Sequence, residues 1–308
     1  MKDFSVIVLC YNCEEKALKD TLDSIICQTG SDFEIILADD ASKNDCLSVG
    51  ENYLKEKNFA SYKIKAHSEN VGTVQNIYDA LEIADGKYVK CIGAGDLLFD
   101  TTTLSKISKH MTQKKSTMCF GKMQAYYYKD NKINFMTLTV PQDVVTHKKN
   151  NYSKVSKNII QNHGWIAGAS MFYDTKKFTE LLKELLGTVR YCEDLLQVNL
   201  LVHGEKISYY PHGAVYYEFG SGISTNNNSG NSSRMKNDHD KFWDMMVKKY
   251  NNNKLIIKGK QMNELVYISS FPKKLVSLIF KNPSYLLMCL KTKFQKKHYE
   301  INEKGMLS

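Results

Sequence analysis

Ser5-Val6-Ile7-Val8-Leu9 is an unbroken apolar run that ends in Tyr11-Asn12, as expected of a strand covered on both faces. Three further landmarks follow in order. A second buried strand, Phe33 to Ala38, ends in Asp39-Asp40; a turn carries Asn70-Val71-Gly72; a third strand, Tyr88 to Ile92, ends in Gly93-Ala94-Gly95-Asp96. In an open α/β sheet, ligands bind outside the carboxyl ends of the strands. Strands that all stop on polar or glycine residues therefore predict one shared pocket.

Between these strands the period changes to that of helices. Leu18, Leu22, Ile25 and Ile26 recur at helical spacing, which predicts a helix from Glu14 to about Gln28. A second helix is expected over Asp45 to Lys57, and a short strand over Tyr62 to Ala66. Thr73 can cap a helix that buries Val74, Ile77, Tyr78 and Leu81. Alternating β and α signals predict a mostly parallel sheet built by right-handed crossovers. After a helix through Leu104, Ile107 and Met111 the texture changes to extended segments (Met118 to Phe120, Met123 to Tyr128), with a hairpin turn at Lys129 to Lys132 leading into Ile133 to Val140. Trp165 to Ala169 is a small-residue apolar segment. A later helix opens at Glu193-Asp194, and strands are expected at Ile207 to Tyr210 and Ala214 to Phe219. Gly, Ser and Asn crowd residues Gly220 to Ser233, as in a mobile loop.

A chain of 308 residues with ordinary apolar and charged content can bury a substantial core, so wholesale disorder is excluded. The net charge of +9 favours anionic partners, and its distribution separates them. From Phe271 onward, Lys273, Lys274, Lys281, Lys291, Lys293, Lys296, Lys297 and Lys304 face only Glu300 and Glu303, among large apolar residues. This tail reads either as a surface lying on an anionic membrane or as a helical pair packed on the body with a solvated lysine face. No apolar run approaches the ~20 residues of a spanning helix, and Phe4 to Cys10 is too short and too soon patterned for a secretory leader. Scattered cysteines suit a reducing, cytoplasmic setting, with peripheral placement on the inner face of the plasma membrane if the tail binds lipid. Cys10 and Cys13 have dithiol spacing, but Cys10 belongs to a strand and no second pair accompanies them.

Taken together, Ser5-Val6-Ile7-Val8 with Tyr11-Asn12, Ile36 to Ser42, Glu69-Asn70-Val71-Gly72, and Ala84-Asp85-Gly86-Lys87-Tyr88 leading to Asp96 resemble a family 2 glycosyltransferase of the GT-A fold. The similarity runs on to Glu193-Asp194 and covers roughly residues 4–224. It implies a Rossmann-like, mostly parallel α/β sheet flanked by helices in a catalytic domain over 1–224. Residues 1–100 would bind nucleotide and 101–224 the acceptor, followed over 225–308 by a flexible loop and a basic, amphipathic helical extension. It also implies donor contacts from Val8, Tyr11, Asp39, Asn70, Gly72, Gly93 and Gly95.

Asp39 could accept a hydrogen bond from the imide N–H of uracil, implying a UDP-sugar donor; alternatively Asp39 or Asp40 caps the next turn. Asp96 corresponds to the last acid of the motif that holds a divalent cation, Mn²⁺ or Mg²⁺, on the diphosphate. The earlier acids are replaced here by Gly93, Ala94 and Gly95, so one carboxylate would have to suffice, and these glycines would let backbone approach the ribose or diphosphate. Inverting transfer needs a carboxylate to take a proton from the attacking hydroxyl. The resemblance assigns that to Asp194, with Glu193 on the acceptor, although a helix N-terminus would weaken the base. The structural alternative is that both acids complement the helix dipole. Trp165 and Gly168 complete the expected acceptor side, unless Trp165 is core; Gly220 to Ser224 resembles the loop that closes over the donor.

The expected activity is inverting transfer of a sugar from UDP to a hydroxyl of a glycan or lipid-linked glycan, in polysaccharide or capsule synthesis. The alternative is a non-catalytic subunit that binds nucleotide or glycan. Nucleic acid is not an expected partner, because no nucleic-acid module is present.

Overall fold

The structure, a computed structural model, describes residues 1–130, 132–220 and 229–307, without the side chains of 229–232. Strands β1 (Lys2–Cys10), β2 (Phe33–Asp39), β3 (Tyr62–Ala66) and β4 (Gly86–Gly93) alternate with helices α1 (Glu15–Ile26), α2 (Cys46–Glu56) and α3 (Thr73–Leu81). They pair in parallel in the order β3-β2-β1-β4. Strand order reverses between β1 and β4, which is where such a sheet opens a ligand crevice. Both faces of β2 are buried along its whole length, which explains why its sequence shows no alternation.

Beyond β4 the sheet becomes mixed. The chain passes through β5 (Leu97–Leu98), α4 (Thr103–Lys114), β6 (Met118–Lys129) and β7 (Lys132–Thr137), which pairs back on β6 as the expected hairpin. Helices α5 (Val144–Lys148) and α6 (Tyr152–Ser156) follow, and a π-turn (Lys157–Gln161) extends α6. Next come β8 (Met171–Asp174), α7 (Thr175–Leu182), a 3₁₀ turn (Glu193–Leu195) opening α8 (Leu196–Val202), and β9 (Ile207–Glu218). The two late strands read from the sequence are thus one strand. β8 lies antiparallel between β4 and β6, and β9 runs parallel to β6.

One local expectation changes. Thr73 does not cap α3; Gly72 occupies the cap position at φ +89°, a conformation that glycine alone adopts without strain.

The C-terminal helices are α9 (Ser229–Lys249), α10 (Lys254–Val266), α11 (Phe271–Lys281) and α12 (Pro283–Phe294). Phe242, Trp243, Met246 and Ile256 of α9 and α10 are fully buried in the same apolar cluster as Ile7, Ile36 and Phe120. This half of the extension therefore completes the central core. The expected loop from Gly220 lies outside the described residues over 221–228, as does the domain limit at 224; from Ser229 the chain is helix.

Candidate active site

The crevice is organised by one carboxylate. Asp40, buried just past β2, accepts hydrogen bonds from Asn70 Nδ2 (2.8 Å), Val71 N (2.6 Å) and Gly72 N (3.0 Å). Burial raises its pKa, and the Val71 and Gly72 N–H groups oppose that shift. Asp40 thereby fixes the turn that the sequence singles out. Arg190 clasps the same turn from the far side, donating to Asn70 O at 2.5 Å and Asn70 Oδ1 at 3.1 Å. A Cβ on Gly72 would lie 2.3 Å from Arg190 Cγ, so glycine is also required by packing.

Asp39 is buried at the end of β2 and accepts from the backbone N (3.0 Å) and hydroxyl of Ser42. Ser42 Oγ in turn accepts from Asn12 N at 2.9 Å, joining the ends of β1 and β2. Asp39 thus caps the following turn, and its remaining acceptor capacity is what a base could use. Tyr11 stands half-exposed beside it, whereas the Val8 side chain is fully buried against α1. Leu9, not Val8, is the side chain by which β1 reaches the cavity.

The cavity arises from a split in the sheet. β8 pairs with β4 only at Tyr88 and Val89, then diverges. The opening, about 120 Å³, is lined by Leu9, Cys91, Gly93, Asp96, Gly168 and Glu193, among others. Lys90 bridges the split. Its fully buried ammonium donates to Ala169 O (2.5 Å) and Met171 O (3.3 Å), on the segment that leads into and begins β8. Burial lowers its pKa to about 8, opposed by the nearby Asp96, Cys91 and Glu193. A lysine is almost never fully buried without such partners.

Asp96 faces this cavity. Burial pushes its pKa up to about 7, a shift opposed by the Glu218 N–H (3.0 Å from Oδ1) and Lys90 and reinforced by the Glu218 carboxylate. Gly95, at φ +98°, makes room for that neighbour: a Cβ there would sit 2.0 Å from Glu218 Oε2. A Cβ on Gly93, by contrast, would meet open space. Asp96 and Glu218 therefore form a carboxylate pair where the family motif would place several acids. Among the described residues no group of three His, Cys, Asp or Glu side chains is arranged to hold a metal. Two neighbouring carboxylates fit a hard divalent cation that takes its remaining ligands from water or a bound anion.

Across the cavity, Gly168 backs directly onto the acids of the 3₁₀ turn: a Cβ there would lie 3.0 Å from Glu193 Oε1 and 3.4 Å from Asp194 Cβ. Burial raises Glu193 to about 8, helped by the Asp194 charge, and raises Asp194 to about 6 against its local N–H groups. Desolvation thus outweighs the N–H groups of the helix N-terminus at both carboxyls. Trp165 is tied into the body. Its indole N–H donates to Ile159 O (3.1 Å), and its ring stacks on His163, which stacks in turn on Trp243.

The predicted residues therefore fall into two groups. Gly93, Asp96, Gly168 and Glu193 share the cavity, with Asp194 and Gly95 adjacent to it. Asp39, Tyr11, Asn70 and Gly72 lie further along the same strand edge. Leu9 pairs with Gly93 and Cys10 with Asp39, so with strands about 4.8 Å apart the two groups are on the order of 10 Å from one another. Lys90, Arg190 and Glu218 escape the sequence reading. For Lys90 the signal is present: a charge in the middle of the apolar stretch Tyr88 to Ile92. Arg190 and Glu218 carry no comparable mark.

The model of glycosyl transferase family 2 matches residues 5–181, more than half of the chain. A Staphylococcus aureus poly(ribitol-phosphate) beta-N-acetylglucosaminyltransferase, TarS, is 29% identical over 126 residues, which are 40% of this chain and 21% of TarS. A Mycobacterium bovis PGL/p-HBAD biosynthesis glycosyltransferase is 29% identical over 123 residues, 38% of this chain and 45% of that protein. The chain thus spans between a fifth and a half of these curated relatives. Among solved structures, S. aureus TarS 1–349 in complex with UDP-GlcNAc superposes with a TM-score of 0.57 at 17% identity, over 96% of this chain and 81% of that one. A Pyrobaculum calidifontis mannosyltransferase in complex with GDP-Man and Mn²⁺ gives 0.57 at 16% identity, over 94% and 74%. At such identities these likenesses show the fold, a GT-A arrangement of sheet and helices. The matched sequence, the sheet order and the crevice agree: the chain belongs to glycosyltransferase family 2.

Proposed function

We propose that the protein transfers a sugar, with inversion, from a UDP-sugar to a hydroxyl of a glycan or lipid-linked glycan. The observation that carries this reading is the split between β4 and β8, whose cavity is lined by both Asp96 and Glu193, with Asp194 beside Gly168 at its wall. Asp39 lies two strands along the same edge, a separation suited to a base and its diphosphate. The UDP-GlcNAc complex of TarS supports a uridine donor.

Asp194 takes the proton from the attacking hydroxyl, Glu193 positions that hydroxyl, and Gly168 admits the acceptor close to both. Tyr11, Asp39, Asn70, Gly72 and the backbone near Val8 hold the nucleotide, and Gly93 and Gly95 leave room for the ribose and diphosphate. A divalent cation, Mn²⁺ or Mg²⁺, would be held by Asp96 with Glu218 beside it, supplying charge neutralisation for the departing diphosphate. Trp165 borders the acceptor side through its packing rather than through a free ring face. The protein would serve surface-polysaccharide or capsule synthesis in the cytoplasm.

The test is nucleotide release from a panel of UDP-, GDP- and dTDP-sugars, with and without Mn²⁺. Release from a UDP-sugar is expected. Binding of UDP without turnover of any donor would instead identify a non-catalytic nucleotide-binding subunit.

A further inference from the structure

We propose that the outer face of the α11–α12 hairpin docks on an anionic lipid bilayer. Phe271, Leu275, Val276, Ile279 and Phe280 occupy one half of the α11 circumference and are exposed, Phe280 by 82%. On α12, Leu287, Leu290 and Phe294 form a narrow stripe at i, i+3 and i+7, with Phe294 85% exposed. Single exposed apolar residues are unremarkable, but eight large ones on two consecutive helices are a concentration of the kind that marks an interaction site.

The opposite sides of both helices are already engaged. Leu278 is buried with Met262 and Leu265; Met288 and Thr292 are buried too. Asn282 and Ser284 exchange hydrogen bonds with Gln161 and Asn162, and Gln295 donates to Asp143 at 2.9 Å. The hairpin is therefore fixed to the body, and its outer apolar residues are left exposed among the described residues.

Charge selects the occupant. Lys291 and Lys293 flank the α12 stripe on its two sides, and Lys273 borders the apolar half of α11. Lys273, Lys281, Lys293, Lys296 and Lys297 make no ion pair among the described residues. A second copy would bring lysines against lysines, whereas anionic headgroups meet lysines while the apolar side chains enter the acyl boundary. No described helix is long and apolar enough to cross a membrane, so the contact is peripheral.

The docking has a consequence that rests on the transferase reading. The segment gripped by α12 ends at Gly164, whose Cβ position lies 2.8 Å from Met288 Sδ. Gly168, on the acceptor side of the cavity, is four residues further, at most about 14 Å of chain. A bilayer beneath the hairpin therefore fixes the acceptor side relative to the membrane, as a lipid-linked acceptor requires.

The test is co-flotation of the full chain with phosphatidylcholine vesicles, with and without 30% phosphatidylglycerol, at about 0.1 M salt. Each lysine near an anionic surface contributes about fivefold, so partitioning at least tenfold higher on the anionic vesicles is expected. Phe280→Ser combined with Phe294→Ser, neither of which lines the cavity, is expected to reduce that partitioning at least tenfold while nucleotide release from UDP-sugars stays unchanged. Equal binding to neutral and anionic vesicles would overturn the proposal. So would self-association in sedimentation equilibrium that the double variant abolishes. Anionic-vesicle binding by a protein that turns over no donor would leave the docking intact and remove only the transferase reading.

Discussion

Asp96→Asn is expected to stabilise the protein while abolishing its activity. In the folded state burial lifts the Asp96 carboxyl from the usual 3.8 to about 7. The native site thus binds a proton more tightly than the unfolded chain does. The stability associated with the protonated form is fully present below about pH 4 and is lost as pH rises through about 7. Three units at about 1.4 kcal/mol each put the cost of the buried charge near 4 kcal/mol at pH 8. Removing Asp96 also deprives Lys90 of a neighbouring negative charge, which trims the benefit; the amide still accepts from Glu218 N. A net gain of about 2–4 kcal/mol is expected at pH 8, and about 1 kcal/mol at pH 5. For a chain of this size that corresponds to a rise in Tm of roughly 3–6 °C at pH 8. Urea or thermal unfolding at the two pH values measures it. Equal destabilisation at both would show that no charge cost is stored at Asp96, and the description of the cavity as a low-dielectric cleft would fall.

The remaining predictions concern the other side of the split. Asp194→Asn should lower turnover by about 10²–10⁴-fold with UDP affinity unchanged. Because the base must be deprotonated, the wild-type rate should fall as pH drops through about 6; a flat profile from pH 5 to 8 would reject Asp194 as base. Lys90→Met should leave Ala169 O and Met171 O without their donor, costing about 2 kcal/mol or more in urea unfolding. It should also raise the pKa values of Glu193 and Asp96, read by carboxyl-directed NMR titration, since a neighbouring cation no longer favours their ionised forms. Unaltered carboxyl titrations would reduce Lys90 to a packing role.

Opposite outcomes for stability and activity at Asp96 would have a common cause. The split between β4 and β8 opens the cavity, and it also removes ladder hydrogen bonds and strands polar groups in a desolvated cleft. Lys90 restores part of what the ladder lost, at the expense of burying an ammonium. Active sites carry such local penalties, and the surrounding core offsets them.

The amino-acid order by itself determined the parallel half of the sheet, because buried strands such as Val6 to Leu9 and Phe33 to Ala38 and helices such as Glu15–Ile26 announce themselves through local apolar periodicity. It also determined which strand ends carry polar residues, and hence the crevice. Tertiary structure alone decided that Leu9 is the β1 side chain lining the cavity, and it alone showed the Trp165 ring stacked on His163. Arg190 on Asn70, Glu218 beside Asp96 and the packing of Trp243 into the central core depend on contacts between segments tens to more than a hundred residues apart. No local period encodes such pairings. They exist only once the whole core has set the distances between elements, which is why the pKa of each acid in the cleft belongs to the fold and not to the motif.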